Sequence, residues 1–183
     1  LKKLKTYLKE VNQGRWPRTH IVTADTYELE CKTIGLVGLG NIGYRVAKRL
    51  QSFDTNIQYF DPYLAVDDPK IQQLEMKSVS LEELLTTSDV VSVHTPLSQK
   101  TRHLICAREF SMMKPSSILI NTSRGPIVDQ EALYEALNTK SIAGAGLDVL
   151  EHEPPKYSDP IFGLENVIIT PHVAGPTYES FIK

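Results

Sequence analysis

Short apolar runs recur along the chain, separated by stretches with helical spacing. Thr33-Ile34-Gly35-Leu36-Val37 is the first run. Asn56-Ile57-Gln58-Tyr59-Phe60, Asp89-Val90-Val91-Ser92-Val93, Ser117-Ile118-Leu119-Ile120-Asn121, residues 142–147 and Val167-Ile168-Ile169 follow it. Runs this short and this apolar predict strands buried on both faces, six in all. Between them, residues 42–52 and 108–113 read as helical, and Ser80-Leu81-Glu82-Glu83 has the capping-box spacing of a helix start. Asp129 is placed to cap a helix over residues 131–137. Strands alternating with helices predict an α/β fold, a Rossmann-type doubly wound parallel sheet covered on both faces. Ahead of it, Leu1, Leu4, Leu8 and Val11 have helical spacing with lysines between them, and a looser segment continues to Glu30. The division expected is an N-terminal helix and loop over 1–30 and a Rossmann domain over 31–183. Residues 151–165 form the longest irregular stretch, and long loops in compact domains are often functional.

Composition narrows the class. The 183 residues suffice for one full core and are too few for two domains of typical size. A hydrophobic content of 41% and a formal net charge of −2 fit a soluble globular protein and give no electrostatic case for nucleic acid or an anionic membrane. No apolar stretch approaches the roughly 20 residues that span a bilayer, and Leu1-Lys2-Lys3-Leu4-Lys5 lacks the apolar core of a signal peptide. Cys31 and Cys106 match no metal-ligand spacing and make no disulfide framework, so no metal site is expected. They read as reduced thiols of a cytoplasmic protein. The sequence starts without Met and stops at Phe181-Ile182-Lys183, inside what reads as an opening helix, so a fragment of a longer polypeptide is expected.

Gly38-Leu39-Gly40-Asn41-Ile42-Gly43 follows the first strand and opens a helix. That context turns a weak glycine pattern into a dinucleotide site. Gly38 permits the tight turn, Gly40 leaves room for a pyrophosphate, and Gly43 lets the helix lie close to the sheet. Asn41 and Ile42 are placed to supply N–H groups at the helix N-terminus. Asp61 ends the second strand, where a carboxylate accepts hydrogen bonds from ribose hydroxyls and repels a 2′-phosphate. NAD is therefore expected in preference to NADP.

Three polar residues follow strands of the same sheet: Arg124, Glu153 and His172. A guanidinium at the end of a core strand is costly unless an anion needs it, and its planar fork suits a carboxylate. Ligands bind at the carboxyl ends of such strands, which places all three residues along the cofactor's edge.

Gly35 through Gly43, Met113-Lys114-Pro115, Asn121 through Asp129, Gly146 through Pro154 and Thr170-Pro171-His172-Val173-Ala174-Gly175 together resemble the successive signatures of the D-isomer-specific 2-hydroxyacid dehydrogenases. The resemblance runs from about residue 14 to the end. It implies that Arg124 holds the substrate's carboxylate and carbonyl oxygen, that His172 is the general acid/base, and that Glu153 is its carboxylate partner. It also implies that Asp148 contacts the nicotinamide carboxamide, and that Thr95, Pro96, Thr101, Thr122 and Ser123 contact NAD, with Ala174 and Gly175 counted beside them. Hydride delivery to a 2-keto acid leaves charge on oxygen, an imidazolium supplies the proton, and a neighbouring carboxylate favours that charged form. His20, His94, His103 and His152 are expected to be structural or surface residues.

The resemblance further implies a separate substrate domain that these residues do not contain, a homodimer formed through the leading helix and the loop to Trp16, and poor turnover by this chain alone. The rival reading is an NAD(H)-sensing protein like the C-terminal-binding corepressors, which share the trio. Formate enzymes carry glutamine where Glu153 stands, which argues against formate, whereas phosphite enzymes keep the trio.

Overall fold

The computed structural model describes residues 4–16, 27–64, 69–74, 76–175, 177, 178 and 182. His20, Leu1 and most of the expected closing helix lie outside these residues. The sheet has seven strands: β1 (Thr33–Val37), β2 (Asn56–Phe60), β3 (Met76–Ser78), β4 (Val90–Val93), β5 (Ile118–Asn121), β6 (Gly144–Leu147) and β7 (Val167–Ile169). Their order is β3-β2-β1-β4-β5-β6-β7, and every pairing is parallel. This is the doubly wound arrangement, with the chain reversing direction across the sheet between β1 and β4. The six expected strands are all present. The seventh, β3, is an exposed three-residue edge strand with no apolar run to announce it.

The helices are α1 (Leu4–Asn12), α2 (Asn41–Leu50), α3 (Pro69–Gln72), α4 (Leu81–Thr87), α5 (Ala107–Met112) and α6 (Gln130–Asn138). The single turn of α3 is too short for periodicity to reveal. Ser80 accepts from the Glu83 N–H as the capping spacing predicts. The Glu83 carboxylate instead takes a bond from Lys77 at 2.6 Å. Asp129 accepts from the Ala132 N–H and caps α6.

Two apolar clusters sit on the two faces of the sheet. Ile34, Leu36, Ala47, Ile57 and Tyr59 form one, beneath α2. Val37, Leu84, Val91, Leu119, Phe110 and Leu137 belong to the larger one, beneath α4, α5 and α6. With both faces covered, ligand access falls to the strand ends. On the far side, Lys5 donates to the Leu164 carbonyl and Lys9 pairs with Glu165 at 3.1 Å, which ties α1 to the segment leading into β7. No helix among the described residues is long and apolar enough to cross a membrane.

Candidate cofactor and catalytic site

The turn after β1 is built around Gly38, which has a φ of +92°. A Cβ there would fall 2.8 Å from the Thr95 methyl carbon. Gly43 is equally constrained, because its Cβ would stand 2.5 Å from the Gly38 carbonyl oxygen. Gly40 has nothing within 4 Å of such a Cβ and faces open space. Gly40 is also the N-cap of α2, and no side chain caps that helix. The first-turn N–H groups of α2, those of Asn41 and Ile42 included, have no intrahelical partner. An uncapped helix N-terminus beside an open glycine suits a dinucleotide diphosphate.

Asp61 lies just beyond β2. Its Oδ2 accepts from the Leu39 N–H at 2.9 Å and its Oδ1 from the Tyr63 N–H at 3.0 Å. Each oxygen keeps a lone pair for a further donor. The carboxylate therefore braces the glycine turn.

The β4 and β5 loops are stitched together. Ser123 donates its hydroxyl to the Thr95 carbonyl at 2.5 Å. Buried Asn121 accepts from the Ser123 N–H and donates to the Arg124 carbonyl at 3.1 Å, holding the turn that presents Thr122 and Arg124. The Thr101 hydroxyl donates to the Pro96 carbonyl at 2.7 Å and accepts from the Ser98 N–H, so it shapes the loop after Pro96. Thr95 Oγ1 is buried without a hydrogen-bond partner.

Arg124 is exposed, just past the buried end of β5. β5 ends at Asn121, and the turn carries Arg124 out past the core. Its guanidinium donates to the Ser123 carbonyl at 2.7 Å and has no carboxylate partner among the described residues. It is a cation held ready for an anion from outside.

His172 and Glu153 meet directly, with Nδ1 of the imidazole 2.8 Å from Oε2 of the carboxylate. An ionised carboxylate only accepts, so Nδ1 carries the proton of this bond. Glu153 Oε1 accepts from the Leu150 N–H at 3.0 Å. Partial burial disfavours the Glu153 charge, but the bonds from His172 and Leu150 outweigh it and hold the carboxyl below its ordinary range.

Asp148 ends in a place the sequence does not reveal. It is 4% exposed, and its carboxylate accepts from the Thr170 hydroxyl and from the Val173 and Ala174 N–H groups at 3.0 and 2.9 Å. Its own carbonyl accepts from the His172 N–H at 2.8 Å. Burial works against this charge, yet the three donors and nearby His172 keep the carboxyl below its ordinary value. Asp148 thus staples the loop that holds His172 at a φ of +56°, a left-handed backbone that needs such support. Thr170 opens the Thr170–Gly175 signature but is not singled out there; its hydroxyl joins the Asp148 carboxylate in holding this loop.

His94 is partly buried at the end of β4, with Nε2 3.0 Å from the Ser92 hydroxyl. Burial lowers its pKa to about 4, so it is a neutral structural imidazole.

The sequence profile described as "D-isomer specific 2-hydroxyacid dehydrogenase, NAD binding domain" matches residues 1–174. The chain belongs to the D-isomer-specific 2-hydroxyacid dehydrogenase family. This NAD-binding domain is 44% identical over 171 residues to a glyoxylate reductase of Korarchaeum cryptofilum, covering 93% of this chain and 51% of that protein. The D-mandelate dehydrogenase of Rhodotorula graminis superposes with a TM-score of 0.89 at 34% identity, over 99% of this chain and 54% of that one. A D-lactate dehydrogenase with NAD+ from Lactobacillus jensenii gives 0.81 at 32% identity, over 96% and 55% respectively. The chain spans about half the length of such relatives.

Proposed function

We propose that the full-length protein is an NAD-dependent oxidoreductase that interconverts a 2-keto acid and a D-2-hydroxy acid. The observation that carries this reading is the His172–Glu153 pair, bonded at 2.8 Å on the sheet edge that also bears the glycine turn. Bound NAD supplies the hydride acceptor or donor. Arg124 binds the substrate carboxylate and orients its carbonyl oxygen, through a fork that no carboxylate among the described residues competes for. His172 gives its Nε2 proton to the carbonyl oxygen during reduction and removes it during oxidation. Glu153 holds the Nδ1–H tautomer and stabilises the imidazolium. Gly38, Gly40, Gly43, Asn41, Ile42 and Asp61 would hold the diphosphate and the adenosine ribose. Thr95, Pro96, Thr101, Thr122, Ser123, Asp148, Ala174 and Gly175 would line the rest of the cofactor edge, with Thr101 and Asp148 acting through the loops they shape.

The reading extends to assembly and location. Leu8, Val11 and Trp16 on and after α1 are exposed at 52%, 43% and 79%. Leu8 also lines a hollow of about 320 Å³ with Phe162, Ile168 and Ile169. This apolar face supports a homodimer. Two free thiols, Cys31 and Cys106, support a reducing, cytoplasmic setting.

The test is NADH oxidation by the full-length protein across a panel of 2-keto acids. Turnover of one or more, yielding the D-hydroxy acid, is expected. Tight NADH binding with no turnover on the whole panel would overturn the enzyme reading in favour of an NAD(H)-sensing protein.

A further inference from the structure

A second imidazole–carboxylate pair lies apart from the catalytic one. Glu151 Oε1 is 2.7 Å from His103 Nε2 and accepts from Arg102 Nη2 at 3.1 Å. Its Oε2 accepts from the Gln130 N–H at 3.3 Å, and its own N–H donates to Gln130 Oε1 at 2.9 Å. The Glu151 side chain is only 12% exposed. Nothing in the proposed chemistry uses it, and a carboxylate so enclosed needs every one of these donors.

Glu151 shares its loop with Glu153, and its partner His103 reaches the turn that follows Arg124. His103 donates its N–H to the Pro126 carbonyl at 2.8 Å and sits at a φ of +50° to do so. Pro126 belongs to the tight turn directly after Arg124. The same turn presses Gly125 onto the next loop so closely that a Cβ would lie 1.8 Å from the Leu150 carbonyl oxygen and 2.6 Å from the Glu151 nitrogen. Leu150 in turn donates to Glu153. Among the described residues, Arg124 has its neighbour's carbonyl alone to hold its guanidinium, so the direction of that group is set by the backbone turn beneath it.

We infer that Glu151 is a positioning residue for the proposed reaction, locking the turn that carries Arg124 to the loop that carries Glu153, with His103 and Arg102 as its anchors. The inference rests on the functional reading above. Its chemistry is that of a buried anion shared by three segments. Neutralising it frees the Arg124 turn to shift against the Glu153–His172 pair while leaving the glycine turn and α2 untouched. Displacements of that kind act on the reacting geometry and not on cofactor affinity, and about 1 Å of misplacement costs up to roughly a hundredfold in rate.

The test uses the full-length protein and two variants. Glu151→Gln keeps the shape and removes the charge. His103→Asn tolerates the left-handed backbone and is too short to reach Glu151. Each should lower kcat/KM for the keto acid at least about tenfold, chiefly through a raised keto-acid KM, with the Kd for NADH within about twofold of wild type. The double variant should lose little more than Glu151→Gln alone, as expected for residues acting through one network. A kcat/KM within about twofold of wild type, or a matching loss of NADH affinity, would overturn the inference. Hydrogen exchange separates this outcome from failure of the functional reading. In His103→Asn, amides of residues 125–128 and 150–153 should speed up together, while those of β1 and α2 keep wild-type rates. Exchange changed at residue 103 alone would overturn the brace even if the wild-type enzyme is active. A wild-type protein inert on every keto acid would sink the functional reading and leave the exchange result to decide the brace.

Discussion

Asp148 is the residue whose surroundings most constrain the site. A buried carboxylate with three donors cannot lose its charge without stranding amide N–H groups, a loss of about 2 kcal/mol. Asp148→Asn keeps the size, but its amide nitrogen cannot accept, so one of the two N–H groups, that of Val173 or that of Ala174, loses its partner. The variant is expected to lose about 2 kcal/mol at pH 7 in urea unfolding of this chain. The sign with pH follows from the lowered native pKa. On acidification the unfolded chain takes up the proton first, near the ordinary 3.8. Wild-type stability is therefore complete above that value and is lost as the pH falls through the lower native one. The variant should show a smaller fall across the same window. An equal acid fall in both proteins would remove Asp148 as the staple of the His172 loop. Arg124 and His172 were legible as residues because strand ends in a parallel sheet are where chemistry collects. The inward turn of Asp148 was not, since a carboxylate after an apolar strand reads the same whether it faces a cofactor or a neighbouring loop.

Among the elements, the strands buried on both faces were the ones legible from the sequence. β1, β4 and β5 have no solvated side and so are mostly apolar, the buried Ser92 and Asn121 excepted. β3, with Met76, Lys77 and Ser78 at the sheet edge, carries no such requirement, and α3 is a single turn, too short to show a period. The contacts that join loops, such as Glu151 to His103, have no periodicity at all, so their pairing appears only in three dimensions. α1 is an element with two roles to reconcile. Lys5 and Lys9 tie it to its own domain, while Leu8, Val11 and Trp16 remain exposed. Light scattering of this chain at micromolar concentration is expected to give the mass of two chains, and Leu8→Asp with Trp16→Ser to give that of one. A wild-type mass of one chain would contradict the dimer.

For the molecule as a whole, the fold delivers three separate tools to one edge. The glycine turn and uncapped α2 offer an anion cradle, the β5 turn offers a free guanidinium, and the β6 and β7 loops offer an imidazole with its tautomer fixed. Sequence order explains why: strands β1, β4, β5, β6 and β7 run in parallel, so every following loop emerges at the same side. In the proposed reaction His172 moves the proton while the cofactor is held elsewhere. The most direct test is the kcat of full-length His172→Gln against wild type, with NADH and the best 2-keto acid, alongside NADH affinity. The account predicts a fall of at least about a hundredfold in kcat with NADH binding within about twofold. A variant that keeps more than a tenth of the wild-type kcat would contradict it.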